Sequence, residues 1–175
     1  MIGDLDGTFC DNSHRQNLLP TGEGTTTADW VAFNGACRDD EPIAVPLGMW
    51  CEFYTACDEA ILLTGRGSSC APQTKEWLGE YGVPYDELIM RPEGDNRKAT
   101  DFKREQFERL GLTRDDIVFE DDPAVIAMLR NDFECIVVAV PSGCSAVQSG
   151  VSNNGDGTRF DSDVKVADTN TSYEG

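Results

Sequence analysis

The 175-residue sequence predicts an α/β fold, in which a parallel β-sheet is covered by helices on both faces. Short apolar runs alternate through residues 1–140 with segments that carry apolar side chains at helical spacing. Such strand–helix alternation is typical of parallel sheets. The length also suits one domain, since single domains commonly span about 100–200 residues.

Five apolar runs are predicted to form the strands of this sheet. They lie at residues 1–2, 61–63, 88–90, 117–119 and 135–139. The first run is short, because Asp4 follows after three residues, so this strand either starts abruptly or has lost upstream residues.

Four helices are predicted between these strands. The first carries apolar side chains on one face from Leu47 to Cys57. The second has Pro72 in its first turn and ends before Gly82, as proline and glycine favour those positions. The third covers about residues 100–110, and the fourth begins near Pro123.

Two segments lack the periodicity of strands or helices. Residues 9–46 are rich in Gly, Thr, Asp and Asn, and an irregular stretch of this length inside a domain is usually functional. We expect it to be a small cap insertion that covers the active site. In residues 141–175, 21 of 35 residues are Ser, Gly, Asn, Asp or Thr, which predicts a flexible polar tail with one short strand near residues 160–166.

The composition excludes several classes of protein. A formal charge of −18 disfavours a broad nucleic-acid-binding face but leaves room for a small basic pocket. No apolar run approaches the roughly 20 residues of a membrane span, and no signal peptide opens the sequence. The seven cysteines form no CxxC pair, which favours reduced thiols in a cytoplasmic protein over a disulfide framework or a zinc site.

Polar residues are predicted at the ends of the strands, where parallel sheets bind ligands. Carboxylates there suit Mg²⁺, while Lys, Arg and Thr suit a phosphoryl group. Each signal alone has a simpler explanation, such as a solvated turn, a helix cap or a surface lysine. Together they predict phosphoryl transfer, and the residues are Asp4, Asp6 and Thr8 after the first strand, Thr64 and Arg66 after the second, Lys103 on the third helix, and Asp121 and Asp122 after the fourth strand.

In this order the residues resemble the four motifs of the haloacid dehalogenase-like (HAD) phosphatase superfamily, over about residues 1–140. The motifs are Asp-Leu-Asp-Gly-Thr at 4–8, Thr64, Lys103, and Glu-Asp-Asp at 120–122. The resemblance implies a Rossmann-like three-layer sandwich and an aspartyl-phosphate mechanism.

The resemblance also assigns the roles of the motif residues. Asp4 is the nucleophile and Asp6 the general acid and base, while Thr64 and Lys103 hold the phosphoryl oxygens. Mg²⁺ would be bound by the Asp4 carboxylate, the Asp6 backbone carbonyl and Asp121, with support from Asp122.

A narrower resemblance is to the 3′-phosphatase domain of bacteriophage polynucleotide kinase and to related stand-alone phosphatases. It rests on Thr-Gly-Arg at 64–66, Gly-Val-Pro-Tyr-Asp at 82–86, Gly-Asp-Asn-Arg-Lys at 94–98 and the segment 29–43. It implies that Arg15, Arg66 and Arg91 bind substrate.

The sequence departs from that domain at two points. Ala99 and Thr100 separate the Arg-Lys pair from Asp101, so either Asp101 orients Lys103 from a shifted position or the lysine is held differently. The closing Gly-Asp-Phe of the family is replaced at 141–144. The sequence contains no phosphate-cradling Gly-x-x-x-x-Gly-Lys-Ser/Thr loop of a kinase.

The predicted function is therefore Mg²⁺-dependent hydrolysis of a nucleotide-type phosphomonoester. The substrate is a nucleoside monophosphate or a nucleic-acid 3′-phosphate end, with other small phosphomonoesters as a further alternative. A catalytically degenerate phosphate-binding module is the competing interpretation. A receiver domain is disfavoured, because it places its acidic pair after the first strand. His14, the only histidine, is interpreted as polar surface.

Overall fold

A computed structural model describes residues 1–22 and 24–141. Within these residues the strands are β1 (Ile2–Gly3), β2 (Cys10–Asp11), β3 (Glu41–Pro42), β4 (Ile61–Gly67), β5 (Glu87–Arg91), β6 (Ile117–Glu120) and β7 (Ile136–Ala139). Five of them form one parallel sheet in the order β5-β4-β1-β6-β7. The predicted α/β fold and its five sheet strands are confirmed. The strand predicted near residues 160–166 and nearly all of the predicted tail lie outside the described residues.

The helices are α1 (Val31–Gly35), α2 (Ala44–Tyr54), α3 (Ala71–Glu80), α4 (Ala99–Leu110) and α5 (Pro123–Met128). The last four are the predicted helices. Pro72 occupies the first turn of α3, and Gly111 ends α4 in the left-handed conformation at φ 67°. No helix in the described part of the chain is long and apolar enough to cross a bilayer.

The apolar side chains form two core clusters, one on each face of the sheet. Because successive side chains of a strand point to opposite faces, Ile61 and Leu63 pack with Phe102 of α4, whereas Leu62 packs with Trp50 of α2 and its neighbours. The sheet therefore lies between two helical layers, as the Rossmann-like three-layer prediction requires.

One boundary differs from the prediction and concerns the site. Thr64 and Arg66 were expected after the second strand, but they lie inside β4, which continues to Gly67 through an irregularity in its pairing with β5. The apolar run that marks this strand stops at Leu63, since the bulged end of β4 carries the polar residues Thr64 and Arg66.

The insertion at residues 9–46 folds into β2, β3, α1 and three short 3₁₀ turns: Ser13–Leu18, Thr27–Trp30 and Ala36–Asp39. None of these elements is long enough to impose a detectable hydrophobic period. Thr27 connects the insertion to the loop after β5, because its backbone N–H donates to Asn96 Oδ1 at 2.7 Å and its hydroxyl accepts from Gly94 N at 3.0 Å.

Candidate active site

Asp4 lies at the carboxyl edge of the sheet, directly after β1. Its backbone N–H donates to Phe119 O at 3.1 Å, which continues the pairing with β6 and fixes the side chain beside the end of that strand. Lys103 reaches the same place from α4, with Nζ 3.0 Å from Asp4 Oδ1 and 2.7 Å from Glu120 Oε2. All three side chains are buried.

This arrangement decides how Lys103 is held. Asp101, one of the two alternatives for holding the lysine, is exposed on the first turn of α4. Glu120 orients the lysine instead, and its other oxygen accepts from the backbone N–H groups of Asp121 and Asp122 at 3.2 and 3.1 Å. Glu120 belongs to the fourth motif, where the sequence assigns it no role; the available signal was an acid at the last position of a buried strand.

Asp4, Glu120 and Asp121 each offer a carboxylate oxygen, and these oxygens lie within 4.8 Å of one another. Burial raises the pKa of Asp4 to about 7, and the negative charges of Glu120 and Asp6 add to the effect. Burial together with Asp4 raises the pKa of Asp121 to about 6. Three carboxylate oxygens that converge in this way fit a hard divalent cation, which prefers oxygen ligands.

Two motif residues shape this cluster without joining it. The Thr8 hydroxyl donates to Asp121 Oδ1 at 3.0 Å and orients that carboxylate. Gly7 has φ 81°, and a Cβ there would come within 2.2 Å of Asp121 Oδ2, so this position requires glycine. Asp122 is the N-cap of α5, since its Oδ1 accepts from Ala124 N at 2.7 Å.

The Asp6 carboxylate faces two arginines rather than the cluster around Asp4. Arg66 donates through Nε to Asp6 Oδ2 at 3.0 Å and through Nη2 to Asp6 Oδ1 at 2.6 Å. Arg15 Nη2 also donates to Asp6 Oδ1. Burial by itself would raise the pKa of Asp6, but Arg66 and Arg15 outweigh it and hold that pKa at about 2. In the free protein Asp6 is an ion-paired carboxylate.

Arg15 and Arg66 are 0% and 1% exposed. Besides Asp6, both bind the buried carboxylate of Asp40, Arg15 through Nε at 2.7 Å and Arg66 through Nη2 at 2.8 Å. Arg66 lines the cleft described below, whereas Arg15 does not. The two arginines are linked to each other by the carboxylates of Asp6 and Asp40, which both of them bind. Their predicted contact with substrate stays a prediction. Asp40 lies in the segment 29–43 that carries the narrower resemblance, but nothing in the sequence indicated its contacts with these arginines.

Thr64 is also fully buried, and its hydroxyl accepts from Arg66 N at 3.2 Å within the bulged end of β4. The hydroxyl therefore supports the local backbone that carries Arg66. Its predicted role as a phosphoryl ligand is untested by this geometry.

A cleft of about 530 Å³ opens above Asp4, Asp6 and Asp121. The insertion contributes the rings of Trp30 and Phe33, which meet edge to face at 5.7 Å. The cations that line it beyond Arg66 and Lys103 come from the end of β5 and the following loop: Arg91, Arg97 and Lys98. A second cavity, of about 520 Å³ and bordered by Met1, Phe53 and Leu110 among others, contains none of the predicted site residues.

Arg91 has hydrogen-bonding capacity to spare. Its Nη1 donates to Arg97 O at 2.9 Å, and its guanidinium lies 5.3 Å from the centre of the Phe102 ring. Its Nε is buried and has no hydrogen-bond partner in the part of the chain that the structure describes. A buried donor without a partner is costly, so this nitrogen is suited to an anionic ligand.

Comparison with known proteins identifies the family of this chain. The family model described as the polynucleotide kinase PNKP phosphatase domain matches residues 1–143. The chain belongs to this family. The predicted resemblance to HAD-type phosphatases of polynucleotide kinase is thereby confirmed.

Solved structures share the fold of this PNKP phosphatase-domain protein. Two are chains of the Pnkp1/Rnl/Hen1 complex and of the Pnkp1/Rnl/Hen1 RNA repair complex, with TM-scores of 0.63 and 0.64 and 24% identity each. The match covers 81% of this chain but only 45% and 42% of those chains, so this chain spans less than half their length.

A third match is the class C acid phosphatase from Bacillus anthracis with tungstate bound. Its TM-score is 0.55 at 16% identity, and the match covers 83% of this chain and 67% of that one. No curated protein sequence matches the chain significantly.

Proposed function

We propose that this domain is a Mg²⁺-dependent phosphomonoesterase that works through an aspartyl-phosphate at Asp4. Its substrate is of the nucleotide type, either a nucleoside monophosphate or a nucleic-acid 3′-phosphate end. The observation that carries the proposal is the buried contact of 3.0 Å between Lys103 Nζ and Asp4 Oδ1 at the floor of the cleft, next to the carboxylates of Glu120 and Asp121.

In the first step a carboxylate oxygen of Asp4 attacks phosphorus, and the bond from phosphorus to the leaving oxygen breaks. Asp6, a carboxylate in the free protein, takes up a proton from solvent as the substrate binds beside it and gives this proton to the leaving oxygen. In the second step water attacks the aspartyl-phosphate, Asp6 takes the water proton, and inorganic phosphate leaves. Lys103 stays protonated throughout, since Asp4 and Glu120 outweigh its burial and raise its pKa.

The metal would be held by Asp4, Asp121 and the backbone carbonyl of Asp6, with Asp122 in support. When bound, Mg²⁺ offsets negative charge so that a carboxylate can approach an anionic phosphate. The convergence of carboxylate oxygens from Asp4, Glu120 and Asp121 within 4.8 Å of one another supports a cation at this place.

The cleft supports a nucleotide-type substrate. Its volume lies within the roughly 300–1,000 Å³ of small-ligand sites. Trp30 and Phe33 offer aromatic surface for a base, and the unpartnered Nε of Arg91 suits a phosphate oxygen. The family description, which names polynucleotide kinase, favours a nucleic-acid end, whereas the charge of −18 opposes a long polyanion outside the cleft.

The test is a phosphate-release panel with Mg²⁺. It contains 3′- and 5′-phosphorylated oligonucleotides, 3′- and 5′-mononucleotides, sugar phosphates and an aryl phosphate. We expect nucleotide-type substrates to give the highest kcat/KM, with release abolished by excess EDTA and by Asp4→Asn in a folded protein. Higher kcat/KM for sugar phosphates would contradict the substrate class. No turnover of any member, with phosphate binding retained, would favour the degenerate binding module.

A further inference from the structure

A buried carboxylate outside all four motifs joins the insertion to the active site. Asp40 follows the 3₁₀ turn Ala36–Asp39 and is 1% exposed. Its backbone carbonyl accepts from Trp77 Nε1 at 2.7 Å, so α3 fixes the main chain at this point. Its side chain therefore has a defined position in the protein interior.

Each oxygen of Asp40 binds a cationic or polar partner. Oδ1 accepts from Arg15 Nε at 2.7 Å and lies 2.9 Å from His14 Nε2. Oδ2 accepts from Nη2 of both arginines, at 2.7 Å from Arg15 and 2.8 Å from Arg66. One carboxylate thus fixes two guanidinium groups.

The same two Nη2 nitrogens also donate to Asp6 Oδ1. Arg15 and Arg66 therefore each bridge Asp6 and Asp40, in a network of two buried cations and two carboxylates. The ring of Phe33 covers one side of the Arg15 guanidinium at 4.1 Å, which closes the network on the insertion side. The orientation of the two guanidinium groups in this network determines where the Asp6 carboxyl points.

We propose that Asp40 is a positioning residue for the reaction, because it holds Arg15 and Arg66 where they aim the Asp6 carboxyl at the leaving oxygen. This inference rests on the proposed function. Without the Asp40 charge, both guanidinium groups lose an acceptor in a buried site and turn fully onto Asp6. Asp6 then cannot reach the leaving oxygen, while Asp4 keeps its own contact with Lys103.

The choice of leaving group separates positioning from a purely structural role. A nucleoside hydroxyl is a poor leaving group and needs a proton from Asp6, whereas p-nitrophenolate leaves without one. The parameter kcat/KM reports the steps up to formation of the aspartyl-phosphate. In Asp40→Asn we expect kcat/KM to fall about 100-fold for a 3′-nucleotide and less than about 5-fold for p-nitrophenyl phosphate.

Controls come from the same part of the chain. Asp39→Asn makes the identical charge change at the exposed neighbouring residue and should leave both values unchanged. Asp6→Asn should show the same split between substrates as Asp40→Asn. The ratio of the two kcat/KM values in one preparation does not depend on the fraction of folded protein. Should Asp40→Asn not fold, Asp40→Glu keeps the charge but displaces it, and should show the same split to a smaller degree.

Equal losses on both substrates would overturn the positioning role, since a structural defect lowers both together. Failure of the wild-type protein to hydrolyse either substrate would overturn the proposed function instead.

Discussion

Lys103 donates a buried hydrogen bond of 2.7 Å to Glu120, and this pair organises the carboxyl edge of the sheet. The contact joins α4 to the end of β6 and sets the ammonium 3.0 Å from Asp4. Glu120, and not Asp101 on the helix of the lysine itself, therefore orients Lys103. The position of the Lys103 ammonium beside Asp4 thus depends on a strand residue.

Removal of the lysine should destabilise the protein as well as inactivate it. Lys103→Met leaves Asp4 and Glu120 as buried carboxylates without their cation, and breaking a buried pair in this way costs about 3–5 kcal/mol. Urea denaturation in EDTA should show this loss in the free energy of unfolding. Lys75→Met, at an exposed position on α3, should lie within about 0.5 kcal/mol of the wild type.

Substitution at Gly7 should affect metal binding more than folding. In Gly7→Ala the new methyl group collides with the Asp121 carboxylate, so we expect Mg²⁺ affinity to fall about 10- to 100-fold. Titration calorimetry with Mg²⁺ measures this. Gly111→Ala is a matched control, since its φ is also positive at 67° and a Cβ there has no neighbour within 4 Å. Equal Mg²⁺ affinity in both variants would contradict the steric explanation.

The stability of the metal-free protein should fall as pH rises. Asp4 and Asp121 have folded-state pKa values of about 7 and about 6, above the 3.8 of an unperturbed aspartate. Between these limits the folded protein holds more protons than the unfolded chain, so the free energy of unfolding decreases with increasing pH. Urea midpoints in EDTA should be higher at about pH 5 than at about pH 7.5, and Mg²⁺ should restore the loss. A midpoint that rises with pH in EDTA would exclude this account.

Arg91 should contribute to substrate binding more than to the chemical step. Its unpartnered Nε gives it a free donor for a substrate oxygen. For Arg91→Gln we expect KM on nucleotide substrates to rise about 10-fold with little change in kcat, as for loss of one charged hydrogen bond. Arg130→Gln, at an exposed position beyond α5, serves as the control. An unchanged KM would remove Arg91 from the site.

The sequence predicted the parts of this protein that depend on local pattern. The five sheet strands, four helices and strand-end acids such as Asp4 and Asp121 follow from apolar periodicity and from the rule that parallel sheets bind ligands at one edge. The buried ion pairs of Glu120 and Asp40 could not be predicted, because each depends on a cation brought close by tertiary packing. Asp40 lies 25 residues from Arg15 and 26 from Arg66 along the chain.

The most direct test of the central claim is to trap the phosphoryl-enzyme. Wild-type protein is mixed with a 3′-phosphorylated oligonucleotide and Mg²⁺, quenched in acid within one turnover, and digested for peptide mass spectrometry. We expect one added phosphoryl group on the N-terminal peptide of the wild type, located at Asp4. The same peptide of Asp4→Asn should carry no phosphoryl group. Phosphate release by the wild type with no phosphoryl group on Asp4, or with one on another residue, would contradict it.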